Sequence, residues 1–358
     1  MLPSSVRDPM VTVAVTGATG NVGTALLRRL LADEGVDEIV GIARRPPEQA
    51  VPKVRWAAAD VATDDLRPLL DGADVVVHLA WLFQPTYRPL VTWQANAIGS
   101  RRVFDAAIAT RARALIHASS VGVYSPAPGG WATEHWPTDS VPHAAYGREK
   151  AYVERVLDAV EARHPELRVV RMRPAFIFQR PAATEQRRIF AGPLVPRRLV
   201  RPGALPRLPF PADLRFQAVH ADDVAEAYRS AIHGQVAGAF NLAADGVIDG
   251  DVLARLLGTR AVSIPNRLVR ALVALAWRAH LVPADPALVD LVLSLPLLDS
   301  ARAREELGWQ PRRTAVDAVR ELLDGVAAGS GGDTAPLEPD SFSGRVRELA
   351  TMMGVRDR

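Results

Sequence analysis

Apolar residues in the first half of the chain fall into short continuous runs separated by segments with helical spacing. The runs are VTVAV, EIVGIA, VRWAAAD, DVVVHLA, ALIHAS and RVVRMR. Helical patterns begin at about Val22, cover about residues 90–110, and begin again at Tyr146. Strands without polar alternation, each followed by a helix, are typical of a parallel sheet covered on both faces. The pattern predicts a doubly wound α/β domain.

The pattern changes after Pro174. Clustered prolines and arginines in residues 180–215 predict a loop-rich segment on the substrate side. Regular patterns then resume and continue to about residue 325. We expect residues 10–179, with about 216–243 returning to them, to form the first domain, and residues 180–325 to form mainly a smaller C-terminal α/β substrate-binding region. Residues 326–358 have the composition of a linker, followed by a helix-like tail, RVRELATMM, that we interpret as loosely tethered or as an oligomer contact.

Composition narrows the classes of function. The 358 residues include no cysteine, which excludes disulfides and thiolate metal ligands and fits a cytoplasmic location. The net charge of +3 is spread along the chain, so we expect no nucleic-acid partner, and the run MVTVAV lacks the features of a signal peptide. Residues 267–282 are apolar but interrupted by arginines, which predicts a buried amphipathic helix and no membrane span. A membrane-surface or lipophilic-substrate role is the alternative.

The stretch VTVAVTGATGNVG places Gly17, Gly20 and Gly23 where the first strand ends and a helix begins. Glycines at this spacing allow a tight turn, let backbone N–H groups reach a pyrophosphate and allow close helix packing. The alternative is an ordinary glycine-rich turn. The strand and helix on either side favour a dinucleotide-binding loop.

The end of the second predicted strand helps to select the dinucleotide. In EIVGIARRPP, Ala43 stands where an NAD enzyme carries a carboxylate for the ribose hydroxyl, and Arg44 and Arg45 follow. Guanidinium groups can pair with a 2′-phosphate, so we expect NADP, with NAD as the less favoured cofactor. The alternative is that both arginines are solvated surface charges.

Tyr146 and Lys150 are four residues apart at the start of a helical pattern, so their side chains share one face. A neighbouring ammonium favours the phenolate, and we expect Lys150 to lower the pKa of Tyr146 by about two to three units. Lys150 is one of two lysines among 43 cationic residues. A compact ammonium can bond a ribose hydroxyl where a planar guanidinium would point differently. The alternative is an exposed pair on a surface helix.

Nine motifs together resemble the extended short-chain dehydrogenase/reductases, the NAD(P)-dependent epimerase/dehydratase family. In chain order they are TGATGNVG, AAD, HLAW, NAIGS, ASSVGVYS, YGREK, RMRPAFIF, VHADDVA and ELGWQPR, from about residue 11 to 325. The resemblance implies a Rossmann-like doubly wound parallel sheet, a nicotinamide dinucleotide as cofactor and a small-molecule substrate. It also implies a homodimer formed through the helices that bear Asn96 and Tyr146.

The resemblance implies a role for each matching residue. Tyr146 corresponds to the general acid/base, Lys150 to its activator and ribose anchor, and Ser120 to the hydroxyl that orients the substrate oxygen. Asn96 corresponds to a position that organises the site. The expected cofactor contacts are Gly17, Thr19, Gly20, Asn21, Val22, Gly23, Arg44, Arg45, Asp60, Val61, Leu79, Ala80, Tyr146, Lys150, Pro174 and Phe176. The candidate substrate contacts are Trp81, Phe83 and Tyr87, which follow the fourth predicted strand and have core packing as the alternative, together with Ser119 and Arg215.

The other polar residues have structural interpretations. His78, His117 and His220 show no spacing with carboxylates that suits a metal, so we expect packing or hydrogen-bonding roles and no metal site. Asp222 and Asp223 begin a helix, where acidic residues are favourable in the first turn.

The expected function is NADP-dependent reduction of a ketone, or oxidation of a secondary alcohol, by hydride transfer. One alternative is a nucleotide-sugar epimerase with tightly bound NAD, and another is a non-catalytic NADP-sensing protein. Dehydration is disfavoured because Val121 and Gly122 follow Ser120, where dehydratases of the family carry an Asp-Glu pair.

Overall fold

The computed structural model describes residues 10–84, 86–192, 196–341 and 343–346. Valine-rich runs form its central strands, since branched side chains pack well on both faces of a covered sheet. The described strands are β1 Val11–Thr16, β2 Val36–Ala43, β3 Val54–Ala58, β4 Val75–His78, β5 Ala114–Ala118, β6 Trp131–Ala132, β7 Arg168–Pro174, β8 Phe176–Phe178, β9 Leu208–Pro211, β10 Ala218–His220, β11 Gly238–Leu242, β12 Ala261–Ile264 and β13 Leu297–Leu298.

Helices follow most strands of the first half. The predicted helix at residues 90–110 is continuous but contains one turn of π-helix, Gln94–Ile98, between two α-helices. The α-helices are α1 Asn21–Leu31, α2 Arg67–Leu70, α3 Pro89–Trp93, α4 Gly99–Ala109, α5 Ala145–Arg163, α6 Ala183–Phe190, α7 Ala221–His233, α8 Gly250–Leu256, α9 Asn266–Arg278, α10 Pro286–Ser294, α11 Ala301–Glu306 and α12 Ala315–Ala328.

Seven strands form one sheet in the order β11–β7–β5–β4–β1–β2–β3, and all of its pairings are parallel. One face is covered by α1 and α7, through residues such as Leu26, Leu30 and Tyr228. The other face is covered by α4 and α5, through Phe104 and Leu157. The predicted doubly wound parallel sheet is confirmed.

Short parallel pairs and helices form a second region beside the carboxyl edge of the sheet. The pairs are β8 with β10, β9 with β12 and β6 with β13. Leu288 and Leu291 of α10 are buried in one cluster with Val121 and Val123, and Tyr146 packs against that cluster. This region therefore packs over the start of α5. Within residues 180–215, whose composition predicts loops, α6 and β9 are regular elements.

Helix α9 differs from its expectation as a buried helix. Leu268, Leu272 and Leu275 are exposed by 47%, 54% and 67%, and α9 contains no fully buried residue. The helix is held instead through Trp277, whose ring stacks on Tyr87 at 4.6 Å. Within the described residues, none of the helices combines the length and apolar character that a bilayer crossing requires.

Residues 330–341 have the composition of a linker, yet in the structure they pack on the body of the protein. Leu337 is 1% exposed, and the hydroxyl of Thr184 in α6 donates to the carbonyl of Ser330 at 2.6 Å. Charged and hydrogen-bonding partners far away in sequence, which composition does not reveal, hold the segment in place. The predicted tail helix, residues 345–353, lies for the most part outside the described residues.

Candidate functional site

The glycine loop joins β1 to α1 through contacts that exclude larger side chains. Gly17 has φ +72°, and a Cβ there would lie 2.7 Å from the backbone nitrogen of Ala80. A Cβ at Gly23 would lie 2.4 Å from the carbonyl oxygen of Gly17. Gly20 is the N-cap of α1 and supplies no side-chain hydrogen bond, which leaves first-turn N–H groups to a ligand. Such a helix N-terminus suits a pyrophosphate.

A cleft of about 580 Å³ opens beside this loop. It brings together residues from the ends of four strands, as the doubly wound topology requires at its carboxyl edge. The predicted cofactor residues that line it are Gly17, Thr19, Gly20, Arg44, Arg45, Asp60, Val61, Leu79 and Ala80. These side chains and loops fit a nicotinamide dinucleotide: glycines at the pyrophosphate position and arginines at the ribose end.

Tyr146 lies in the first turn of α5, beside a smaller cavity that continues the cleft. Trp81 and Phe83 line both spaces, so they form their common wall. The Tyr146 ring lies 5.0 Å from the ring of Phe83 and 5.9 Å from that of Trp81. A Cβ at Gly122 would lie 2.9 Å from the Tyr146 ring, so this glycine lets the ring approach the Ser120 turn.

Ser120 lies at the end of β5 and interacts with two groups at once. Its hydroxyl oxygen accepts from the backbone N–H of Gly122 at 3.0 Å. It also lies close enough to the Tyr146 side chain to act to lower the phenol pKa. The structure therefore brings the Ser120 hydroxyl near Tyr146, which lines the small cavity, although Ser120 itself is not part of that lining.

The expected lowering of the Tyr146 pKa by Lys150 is wrong for this structure. Burial raises the pKa of Tyr146 to about 12, and only the interaction with Ser120 opposes it. The Lys150 ammonium instead donates to the Ala118 carbonyl at 2.6 Å and lies 3.4 Å from the centre of the Trp81 ring. Burial lowers its own pKa to about 7, against the opposing charges of Glu154 and Glu149.

Asn96 lies in the π-helical turn and is fully buried. Its Oδ1 accepts from the Leu82 N–H at 2.7 Å, and its Nδ2 donates to the Leu82 carbonyl at 2.8 Å. The same Nδ2 lies 2.7 Å from Glu149 Oε2, and Thr92 donates to the other oxygen at 2.8 Å. Asn96 thus fixes the wall segment after β4. Burial raises the pKa of Glu149, although both hydrogen bonds oppose the rise.

Ser119 does not share the orientation of Ser120. Its hydroxyl donates to Glu154 Oε1 at 2.6 Å, within a buried ion cluster on α5 and β7. Arg171 lies 3.0 Å from Glu154 Oε2, and Arg173 contacts both carboxylate oxygens at 3.0 and 2.9 Å. Burial alone would raise the pKa of Glu154, but Arg173, Arg171 and the Ser119 hydroxyl lower it to about 2. The cluster ties α5 to the sheet.

Several predicted contacts are not brought to the described cavities. Tyr87 stacks on Trp277 and His280, and its hydroxyl lies 2.8 Å from the carbonyls of Trp277 and Val282. Arg215 is exposed on the loop before β10. Pro174 and Phe176 are absent from the described lining of the cleft, although Phe176 packs in the cluster that contains Tyr146.

Three other residues of the loop that were predicted to contact the cofactor, Asn21, Val22 and Gly23, lie behind the glycine loop and do not line the cleft. Asn21 donates to the Ile177 carbonyl at 3.1 Å and accepts from Gln179 at 2.9 Å, so it fastens α1 to the end of β8. Val22 and Gly23 belong to the buried or half-buried side of the same turn. They support the loop from behind.

The sequence did not single out some residues that the structure places in or around the cavities. Acidic residues on a helix are usually solvated, so the pattern gave no signal for Glu149 and Glu154. Further lining residues that the sequence did not single out include the polar or charged Asp64, Gln84, Arg88, Glu185, Arg188 and Asp285, together with Pro336.

Of the three buried histidines, His78 and His220 form side-chain hydrogen bonds, and His117 packs against the rings of His78 and Phe104. His78 Nδ1 lies 2.6 Å from the Thr16 hydroxyl and Nε2 lies 2.9 Å from the Ser100 hydroxyl. Burial lowers the pKa of His78 to about 3 and that of His117 well below its ordinary value. His220 is the N-cap of α7 and accepts from the Asp222 N–H at 3.1 Å. In the described part of the chain, no three His, Asp or Glu side chains are grouped to hold a metal.

Asp222 and Asp223 contact other elements in addition to occupying the first turn of α7. Asp222 pairs with Arg28 of α1 at 2.9 Å. The buried carboxylate of Asp223 accepts from the N–H groups of Arg312 and Arg313 at 3.0 and 3.2 Å.

Comparison with known proteins supplies the wider context. The model of the NAD dependent epimerase/dehydratase family matches residues 13–243. An uncharacterized protein of Mycobacterium tuberculosis is 26% identical over 362 residues, covering 96% of this chain and 91% of the relative. The dTDP-6-deoxy-L-talose 4-dehydrogenase (NAD(P)(+)) of Kitasatospora kifunensis is 31% identical over 324 residues, 87% of this chain and 94% of that protein. The structure of Thermus thermophilus UDP-glucose 4-epimerase with NAD matches with a TM-score of 0.64 at 21% identity, covering 88% and 98% of the two chains.

The Glu154 cluster predicts a pH dependence of stability. Because the folded pKa is lowered to about 2, the ionised carboxylate stabilises the fold fully above about pH 4.5 and loses this contribution as the pH falls toward 2. Protonation of Glu154 over this pH range should lower the free energy of unfolding by about 3 kcal/mol. Urea unfolding between pH 2 and 6 measures it.

Glu154→Gln should unfold about 3 kcal/mol more easily at pH 6 and show a flatter pH dependence. The control is Glu38→Gln, since Glu38 pairs with Arg55 at the surface and should change stability by less than about 1 kcal/mol. An equally steep pH dependence in Glu154→Gln would contradict the assignment.

Proposed function

The chain belongs to the NAD dependent epimerase/dehydratase family, and on that premise we propose that it is an NADP(H)-dependent oxidoreductase that reduces a ketone to a secondary alcohol. Membership makes it an enzyme that works with a nicotinamide dinucleotide. The observation that carries the proposal is that Tyr146 lies near Ser120 and against the Trp81 ring, which the Lys150 ammonium also contacts, beside a cleft that begins at the glycine loop. The 31% identical relative is named a 4-dehydrogenase that uses NAD(P)+, which supports a net redox reaction.

The chemistry that a bound reduced nicotinamide supplies is hydride transfer to the carbonyl carbon. The carbonyl oxygen then gains negative charge and a proton. Ser120 would hydrogen-bond to that oxygen, and the Tyr146 hydroxyl would give up its proton to it as the charge forms. Lys150 would hold the ribose and compensate the charge left on Tyr146. Trp81 and Phe83 would exclude water from the reacting carbon.

The raised pKa of Tyr146 sets its protonation state before the reaction. At about 12, the phenol is fully protonated at neutral pH and is ready to act as an acid. Oxidation of an alcohol requires the opposite step, in which Tyr146 accepts the proton. Oxidation therefore starts from the phenolate and reduction ends on it, so the buried position opposes proton transfer in both directions, and a compensating charge such as that of Lys150 would be needed in each.

NADP is the proposed cofactor because Arg44 and Arg45 line the cleft at the end of β2, directly after Ala43. Two guanidinium groups favour a 2′-phosphate, and no carboxylate at position 43 opposes it. NAD, which the Thermus thermophilus epimerase carries, is the alternative.

A nucleotide-sugar epimerase is the second candidate function. The fold matches a UDP-glucose 4-epimerase, and the dehydrogenase relative acts on a nucleotide sugar by its name. An epimerase would return the hydride to the same substrate, so it would consume no nucleotide. Net conversion of NADPH to NADP+ therefore distinguishes the two candidates. Homodimerisation through the helices bearing Asn96 and Tyr146, and a cytoplasmic location, stay predictions from the sequence.

Replacing Tyr146 by Phe tests the acid. With NADPH and a panel of ketones that includes 4-keto nucleotide sugars, we expect kcat to fall at least about a hundredfold while the Kd for NADPH stays within about twofold. The control is Tyr152→Phe, on the same helix but with its ring packed at a tilt against that of Trp93. If Tyr146→Phe turns over ketones at the wild-type rate, Tyr146 is not the acid; if the wild type oxidises no NADPH, the reductase proposal fails.

Replacing Lys150 by Arg tests the shape of the cation. The guanidinium keeps the charge but is too wide for the buried position between the Ala118 carbonyl and the Trp81 ring. We expect kcat/KM to fall at least about thirtyfold, with a higher KM for NADPH. The matched control is Lys53→Arg, which changes the other lysine, an exposed one, and should leave the kinetics unchanged. Wild-type kinetics in Lys150→Arg would show that the reaction does not require a lysine at this position.

Replacing Arg44 and Arg45 together by Ala tests the cofactor. We expect KM for NADPH to rise about ten- to a hundredfold, since two charge-assisted contacts to the 2′-phosphate are lost. KM for NADH should change by less than about threefold. Arg55→Ala, on the neighbouring strand β3 and paired with Glu38, serves as the control. Equal losses with both nucleotides would refute the phosphate contact.

A further inference from the structure

The C-terminal segment, residues 330–341, lies across α6 and reaches the glycine loop. Its fold is compact: the Gly332 N–H donates to the Leu337 carbonyl at 2.6 Å, around one 3₁₀ turn at Ala335–Leu337. Leu337 is buried. The segment lies beyond residue 243, where the family match ends.

A buried ion cluster anchors the far end of the segment. The Asp340 carboxylate is 4% exposed and lies 3.5 Å from Arg187, 3.4 Å from Arg197 and 2.6 Å from Arg345. Burial alone would raise the pKa of Asp340, but the Arg345 hydrogen bond and the charges of Arg187 and Arg197 lower it. Ionised Asp340 therefore holds the segment against α6 at neutral pH.

The near end of the segment touches the nucleotide cleft directly. The Thr334 hydroxyl donates to the carbonyl of Thr19, in the glycine loop, at 2.7 Å. Pro336 lines the cleft together with Arg188 of α6, and Arg188 donates to the Pro336 carbonyl at 3.2 Å. Thr334, directly before the 3₁₀ turn, thus contacts the glycine loop, and Pro336, within the turn, lies along the cleft wall.

We propose that the C-terminal segment is part of the nucleotide site, with Thr334 as a residue that positions the glycine loop and Pro336 as part of the wall that retains the bound nucleotide. The inference rests on the nucleotide binding in the proposed function. A carbonyl held at Thr19 fixes the loop, so the N–H groups at the start of α1 meet the pyrophosphate without first being ordered. A purely structural segment would affect stability and leave nucleotide binding unchanged.

Removal of one hydroxyl tests the positioning role. We expect Thr334→Val to raise the Kd for NADPH about three- to tenfold, the range expected for one net hydrogen bond. Thr334→Ser keeps the hydroxyl and should restore binding to within about twofold of wild type. The control is Thr110→Val, which removes a hydroxyl that donates to the Ala106 carbonyl at the end of α4. Isothermal titration calorimetry measures Kd, and thermal unfolding measures stability.

The same titrations distinguish the possible failures. If the wild type binds NADPH and Thr334→Val binds it equally well, the positioning role is refuted while the proposed function stands. If the wild type binds neither NADPH nor NADH, the proposed function fails and this inference fails with it. A lowered melting temperature in Thr334→Val with unchanged Kd also counts against the inference, since it is the signature of structural support alone.

Weakening the ion pairs of Asp340 tests whether the C-terminal segment retains the bound nucleotide. Asp340→Asn removes the charge that holds the segment against α6, so we expect NADPH to dissociate at least about fivefold faster in stopped-flow displacement. The surface variant Asp65→Asn, whose carboxylate pairs with Arg67, is the control. An unchanged dissociation rate in a folded Asp340→Asn protein would show that the segment does not retain the nucleotide.

Discussion

The ion cluster around Glu154 fixes the position of α5, and the candidate site depends on that position. Glu154 joins α5 to Arg171 and Arg173 of β7 and to the Ser119 hydroxyl at the end of β5. A carboxylate buried with too few partners destabilises a protein by several kcal/mol, whereas here two guanidinium groups and a hydroxyl satisfy it. Helix α5 is therefore held in a fixed position along the two neighbouring strands β5 and β7. That position brings the first turn of α5 against the Ser120 turn.

Burial shifts the pKa values of Tyr146 and Lys150 in opposite directions. It raises the pKa of Tyr146 to about 12 and lowers that of Lys150 to about 7, so the pocket disfavours charge of either sign. A site of this kind stabilises the neutral phenol and destabilises the charged ammonium. Spacing along a helix shows that two groups are neighbours, but their charge states follow from how much water the completed fold leaves around them.

The sequence predicted the parallel sheet and the glycine loop because each rests on local patterns: runs of β-branched residues, and glycines where Cβ atoms would collide with backbone. It could not predict the burial of Glu149 and Glu154, since their partners Asn96 and Arg171 come from other elements. The linker-like composition of residues 330–341 was equally uninformative. Their packing depends on Asp340 meeting arginines from α6 and its neighbouring loop. Local sequence predicts local structure, and charge burial is decided by long-range pairing.

The way α7 covers α1 has a consequence for synthesis of the chain. The apolar side of α1, including Leu26 and Leu30, is buried against Tyr228 and Val224 of α7, about two hundred residues later. The sheet likewise receives its edge strand β11 only at Gly238–Leu242. A nascent chain therefore carries an uncovered leucine face on α1 until α7 has left the ribosome. During that interval the exposed apolar surface favours aggregation of the nascent chain.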